Sequence, residues 1–400
     1  MSFTPLRSDR PGRRDLRLVI SARALSMLGD QIAVVALVLR AQSNGGGARA
    51  VVELLLAGVL PLMLLAPAAG QLVDRTDSRT LLLVSSLAQL ACCMMLVFRT
   101  DRVSTLLLVA ALAAGQSVNA ATWQALIPHI VGTDRLAAAI GLSQAANTTA
   151  TIIAPVLAGV LTAWYGARIP LLLDAATFAA VTGAALLVRS RRGGRVEEQP
   201  DTRGGWAILR SDRTLSLLLL MLVAFVLLSS MVNVVEVFLI RQTMHASATW
   251  YGMVGGMWGV GLFGGAMLGR RLPGQRPLLR VALGSCALLG LALVGMGVAP
   301  NPPWMLPASL CGGIANGLLN LSTSALVGIR TAEQVRGRVS AIVNGLTSAG
   351  QVGALLLGGL LAALLAPRTI FVVAGLLGVL TPLALCRWLL ASAVPAPLPS

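Results

Sequence analysis

The sequence predicts an all-α integral membrane protein with twelve transmembrane helices in two pseudo-symmetric six-helix bundles. Three observations support this. Hydrophobic residues make up 56% of the 400 and the mean hydropathy is +0.81, values foreign to a water-exposed globular surface. Apolar runs of about 20 residues, enough to cross a hydrocarbon core roughly 30 Å thick, recur between short polar connections. The basic residues, all 31 of them arginine, are sorted by side: counting alternate loops together, 23 fall on one face and seven on the other, with Arg23 inside a span. This bias obeys the positive-inside rule and places both termini in the cytoplasm, so the net charge of +16 orients the chain and calls for no nucleic acid partner.

The expected spans are 16–41, 50–71, 79–98, 104–127, 135–164, 168–189, 214–240, 250–269, 277–298, 304–329, 338–365 and 368–393. One long polar segment, rich in Gly and charge, separates an N-terminal bundle (1–189) from a C-terminal bundle (214–400) and reads as a cytoplasmic linker (190–213). Its end, GWAILRSD, could lie on the inner leaflet as a short amphipathic piece. Trp164, Tyr165, Trp250, Tyr251 and Trp304 fall at outer span ends, where amphipathic rings settle. No small-residue cleavage site follows the basic N-terminus, so the first span is expected to remain as an anchor. The five cysteines read as packing residues, and His129 and His245 fall in short polar connections.

An ionisable group in the bilayer costs about 2.5–3.5 kcal/mol on insertion scales, so each one should face a cavity or a partner. In the first span Arg23, Ser26 and Asp30 share a face at i, i+3 and i+7, with Asp30 near the midplane. Glu53 and Asp174 fall near outer span ends, where water is close. Spans four and five carry Gln116 and Asn119, then Ser143, Asn147 and Thr151. Span seven carries Ser229, Asn233 and Glu236 on one stripe, with Glu236 toward the outer end. In span eight Gly261, Gly265 and Gly269 recur every four positions, a pattern suited to close helix contact. Spans ten and eleven carry Asn316 and Asn320, then Asn344, Thr347 and Gln351. About half of these polar residues are expected to join helices and the rest to line a cavity.

Asp30 and Glu236, with Arg23 beside the former, are the proton-coupling candidates: a dry cavity favours the neutral acid and a wet one the carboxylate. The alternative is that Asp30 is fixed by Arg23 or by helix packing and never titrates. No phosphate-cradling loop, metal cluster, nucleophile triad or pair of carboxylates at one depth is apparent, so the chain is not expected to be an enzyme or to need a cofactor.

Between spans two and three the chain reads GQLVDRTDSRTLL, from Gly70 to Leu82. A solvated turn explains Arg75 and Arg79 but not Asp74 and Asp77. A carboxylate beside a helix N-terminus is stabilised by about 0.3–1 kcal/mol, so Asp74 can act as a latch. The halves also echo one another: TDRLAAAIGLSQAANTTATIIAPVLAGVL from Thr133 parallels AEQVRGRVSAIVNGLTSAGQVGALLLGGLL from Ala332, the kind of repeat on which transporters are built.

Gly70, Leu72, Asp74, Arg75 and Arg79 match the signature G-x-L-a-D-R-x-G-R-R, with departures at Asp77 and Ser78. On this motif and the twelve-span layout, the chain resembles the major facilitator superfamily. SARALSMLGDQIAVVAL, ALIPHIVGTDRLAAAIGL, PLLLDAATF and VRGRVSAIVNGL look like its bacterial enterobactin-export and macrolide-efflux branch. IIAPVLAGVL resembles the antiporter signature G-P-x-x-G-G, keeping Pro155 and Gly159 but having Ala154 and Ala158. Span four reads Ala111 to Gly115 where many proton-linked drug exporters carry an arginine, so any coupling route differs from theirs.

The resemblance implies a monomeric secondary transporter of the cytoplasmic membrane that exports an amphipathic small molecule in exchange for protons by alternating access. Asp74 would dock at the start of span eleven near Arg338, while Arg75 and Arg79 tie the loop to charges such as Asp134. Spans four, five, ten and eleven would line the cavity, which favours Asn119, Asn147, Asn316 and Asn344, with Gln116, Asn233 and Asn320 as further candidates. A facilitator or uptake carrier, and a non-transporting sensor or assembly protein on the same fold, are the alternatives.

Overall fold

A computed structural model describes residues 10–187, 210–269, 274–331 and 333–391. Most of the expected linker, including Trp206, lies outside them. Among the described residues all regular structure is helical: α1 (Arg10–Ser43), α2 (Gly47–Arg75), α3 (Ser78–Phe98), α4 (Arg102–Tyr165), α5 (Arg168–Leu187), α6 (Arg213–Phe238), α7 (Ala248–Gly269), α8 (Gln275–Val298), α9 (Pro302–Arg330), α10 (Glu333–Leu364) and α11 (Pro367–Ala391). Among the described residues twelve stretches are long and apolar enough to cross a membrane, as the hydropathy pattern predicts. Two of them, Arg102–Leu126 and Gly141–Tyr165, belong to α4. The charged loop expected from Thr133 is therefore helical backbone, and so is the position of His129. The segment is rich in Leu, Ile and Ala, which favour helix over a polar turn. The side chains of His129 and Asp134 lie outside the described residues. His245 does occupy a connection, with φ 51°.

Helix ends explain several polar residues. Asp77 caps α3, accepting from the Thr80 amide at 3.3 Å, which gives it a structural reason that a solvated turn does not. Asp101 accepts from the Ser104 amide at 2.9 Å ahead of α4, and that bond holds its carboxyl below the usual carboxylate range. Asp212 caps α6, accepting from the amides of Thr214 (2.8 Å) and Leu215 (3.2 Å). Beyond α6 the backbone widens into a π turn, Leu239–Thr243.

The chain divides into two compact units. The first holds the described residues to Leu37, Ala57–Ala154, and Trp164 to the end of α5. There α3 packs on α5, over a core that includes Leu82, Trp123, Val181, Cys93 and Phe178. The second holds Val38–Leu56, Pro155–Ala163 and the described residues from Arg210 onward. Its helices pack as α7 on α9, α8 on both α9 and α11, and α6 on α10 and α11, around Met221, Phe225, Leu279, Met305 and Phe371.

The expected glycine stripe is a crossing of backbones. β-Carbons added at Gly261 and Gly265 would collide with the carbonyl oxygens of Leu310 and Ile314 on α9. Gly313 and Gly317 reciprocate against Trp258 and Leu262 of α7. Large apolar side chains such as Leu64, Val84, Phe98, Leu107 and Leu383 stay exposed on the helices, a surface suited to lipid tails.

Candidate functional site

In the first unit a chain of polar side chains runs between helices. Ser85 donates to Asn119 Oδ1 (2.6 Å), and Asn119 Nδ2 donates to Gln89 Oε1. Gln89 Nε2 reaches Gln116 Oε1 (3.4 Å), and Gln116 Nε2 donates to Asp30 Oδ2 (2.8 Å). Asp30 thus takes its hydrogen bond from α4, not from Arg23, and among the described residues it has no ion pair. Asn119, expected on a cavity wall, is buried and spent on joining α3 to α4, because both its amide atoms have partners.

A second carboxylate stands beside Asp30. Asp174 of α5 is 2% exposed, which corrects the expectation of nearby water. Cys93 donates its thiol to Asp174 Oδ2 (3.1 Å), so this cysteine does more than fill space. Thr177 Oγ1 lies 3.3 Å from Asp174 Oδ1. A β-carbon at Gly29 would fall 2.6 Å from Asp174 Oδ1, so the bare backbone of α1 makes room for this carboxylate one residue from Asp30. Two carboxylates from different membrane-length helices therefore lie near one another, which the sequence reading did not expect.

At the end of α2, Asp74 is half-buried beside Arg75, which is exposed. A carboxylate at the negative end of its own helix is poorly placed and gains by meeting another helix's N-terminus. Arg79 donates to the Leu186 carbonyl in the last turn of α5 (2.7 Å). Space is open around Gly70. Arg338 lies in the second turn of α10, inside the helix rather than at its start.

An ion pair that the sequence reading missed secures the start of α6 in the second unit. Arg330 Nη1 contacts both oxygens of Asp212, at 2.7 and 2.6 Å. Gln275, with its amide oxygen turned inward, accepts from Arg330 Nε at 2.6 Å. The Arg213 guanidinium covers the Trp388 ring at 4.4 Å. Arg330→Ala leaves a largely buried carboxylate without its cation and is expected to lower the melting temperature in detergent. Asp212→Ala is expected to lower it further, since the lost cap costs about 1 kcal/mol more. Thermal unfolding of the two purified variants tests both.

Two cavities lie in the second unit. One, of about 320 Å³, is lined by Asn320, Ser324, Ser340, Asn344 and Thr347 with Leu222 and Val343. Asn320 and Asn344 thus share a cavity, while Asn316 accepts from Asn320 Nδ2 at 2.5 Å. The other, of about 210 Å³, brings together Glu236, Asn233 and Ser229 with Trp258 and Met296. Asn147 is half-buried on α4, its carbonyl accepting from Thr151 Oγ1 (2.9 Å). Pro155 and Gly159 lie against α7: a β-carbon at Gly159 would be 2.7 Å from the Ala248 carbonyl oxygen and 3.0 Å from Gly252 Cα.

Comparison with known proteins agrees with this layout. Residues 19–352 match the Major Facilitator Superfamily. Macrolide efflux protein A of Streptococcus pyogenes is 23% identical over 368 residues, covering 87% of this chain and 88% of that protein. A bacterial homologue of the iron transporter ferroportin superposes with a TM-score of 0.74 at 15% identity, covering 96% of this chain and 99% of its own. The nucleoside transporter NupG superposes with a TM-score of 0.73 at 10% identity, covering 96% and 100%. With the family matched over most of its length and twelve membrane-length helical stretches among the described residues, the chain belongs to the major facilitator superfamily and is a multi-pass membrane transporter, not an enzyme.

Proposed function

We propose that the chain is a secondary active exporter of an amphipathic small molecule, with protons entering in exchange and with Asp30 and Asp174 carrying the proton. The observation behind this reading is that Asp174 lies against Gly29, the residue next to Asp30, without an ion-pair partner for either acid among the described residues. When the site is dry the pair keeps a proton; when water reaches it, both carboxylates are solvated and the proton leaves. Alternating access to the two sides then links proton entry to solute exit. One proton moving down 100 mV supplies roughly 2.3 kcal/mol, enough for a solute gradient of roughly fifty-fold. Similarity to a macrolide efflux protein favours the outward direction for the solute.

Both termini are assigned to the cytoplasm on the arginine bias, and the chain works as a monomer in the cytoplasmic membrane. Ala154 and Ala158, standing where an antiporter signature has glycines, favour a second reading as a gradient-independent facilitator. Proteoliposomes decide between them. With a radiolabelled macrolide, an imposed pH gradient should drive accumulation against the solute gradient if export is proton-coupled. Only equilibration would support the facilitator.

In the same reading Asp74 latches the cytoplasmic side by docking on the start of α10. Asp74→Asn is expected to reduce transport at normal expression and insertion. Unchanged rates in that variant would remove the latch.

A further inference from the structure

The cavity beside Glu236 is built to neutralise a positive charge. We propose that it is a subsite for the cationic head of the transported solute, a substituted ammonium group. This rests on the reading of the chain as a carrier of amphipathic molecules and adds the chemical class it selects.

Four features point to a cation. Glu236 is the one charged side chain among the residues lining the cavity, and among the described residues its carboxylate has no hydrogen bond or ion pair. Trp258 lines the same space, and an indole ring is the aromatic group that attracts ammonium groups best. That ring packs closely against α9, where a β-carbon at Gly312 would lie 2.5 Å from Trp258 Cζ3. Val232, Leu293 and Met296 complete the lining with apolar and polarisable surface, suited to the alkyl groups of a substituted ammonium and unsuited to a hydrated metal ion.

Size narrows the occupant. About 210 Å³ is below the 300–1,000 Å³ usual for a pocket that encloses a whole small molecule, so the site takes a head group and leaves the body of the ligand elsewhere. Serine and asparagine at Ser229 and Asn233 stand on the same stripe of α6 as Glu236 and add polar contacts without a competing charge. The unpaired carboxylate also gives α6 a reason to place an acid in the bilayer, where it is costly unless a partner arrives. Here the partner is the ligand.

The test uses the full chain in nanodiscs and two fluorescent amphiphiles of identical shape, one ending in trimethylammonium and the other in uncharged tert-butyl. The cationic probe should bind about tenfold or more tightly than its neutral twin. Glu236→Gln should erase that preference by weakening the cation and leaving the neutral probe unchanged. Equal binding of the two probes to the unaltered chain, or a preference that survives in Glu236→Gln, overturns the proposal. Should Glu236→Gln fail to fold, Trp258→Leu takes its place: it should narrow the preference several-fold, and an undiminished preference overturns the proposal. Because binding is read without a gradient, failure of proton-driven transport alongside intact cation preference would count against export and for the subsite.

Discussion

Asp30→Asn is expected to abolish pH-gradient-driven accumulation of solute while solute still exchanges down its own gradient. The carboxamide can still accept the hydrogen bond that Gln116 gives to Oδ2, so the polar chain from Ser85 to α1 keeps its shape. What is lost is the pair's second negative charge, and with it the reason for one proton to be shared. Asp174→Asn should uncouple in the same way, since its oxygen still accepts from Cys93 or Thr177. Arg23→Gln, by contrast, should leave the coupling intact, because Arg23 does not pair with Asp30. Proteoliposomes with matched protein content and an imposed gradient check all three. Gradient-driven accumulation in Asp30→Asn at the unaltered rate would take the proton away from this site.

The second large effect falls on assembly. Gly265→Leu is expected to give a chain that reaches the membrane but does not yield a stable, monodisperse protein in detergent. A side chain there meets the Ile314 carbonyl, and backbone held by its own helix cannot swing aside as a flexible side chain can. Overpacking a core costs about 1–3 kcal/mol where neighbours can adjust. At a backbone crossing the helices α7 and α9 must separate instead, which also undoes the reciprocal contacts at Gly313 and Gly317. Gly264→Ala is the matched control, because space is open there, and it should be close to neutral. Size-exclusion profiles and thermal unfolding of the two variants measure the difference.

Much of this architecture follows from sequence because the bilayer imposes simple rules. Span length, the sorting of arginines and aromatic rings at span ends are each local properties of the chain. The Gly261/Gly265 stripe was also legible, since a four-residue spacing defines a helix face without any knowledge of the partner. Asp174 was not. Its place six residues into α5 suggested access to water, whereas it packs against Gly29 and Cys93 on helices far away in sequence. A hint was present in the glycine next to Asp30, a residue that marks close approach by some neighbour without saying which. Asp212 was missed for a different reason: the expected linker ran through it, and only the helix that starts at Arg213 turns it into a cap and a partner for Arg330. Asn119 and Asn344 look alike as polar residues in spans. Opposing helices decide that one is consumed by hydrogen bonds and the other faces a cavity.

Infrared difference spectroscopy of the purified chain in lipid bears most directly on the proposal that Asp30 and Asp174 share a proton. At neutral pH the unaltered chain should display the carbonyl stretch of a protonated carboxylic acid, shifting in heavy water and absent from the Asp30→Asn/Asp174→Asn double variant. An identical band in both proteins, or no band in the unaltered one, would mean that these carboxylates carry no proton.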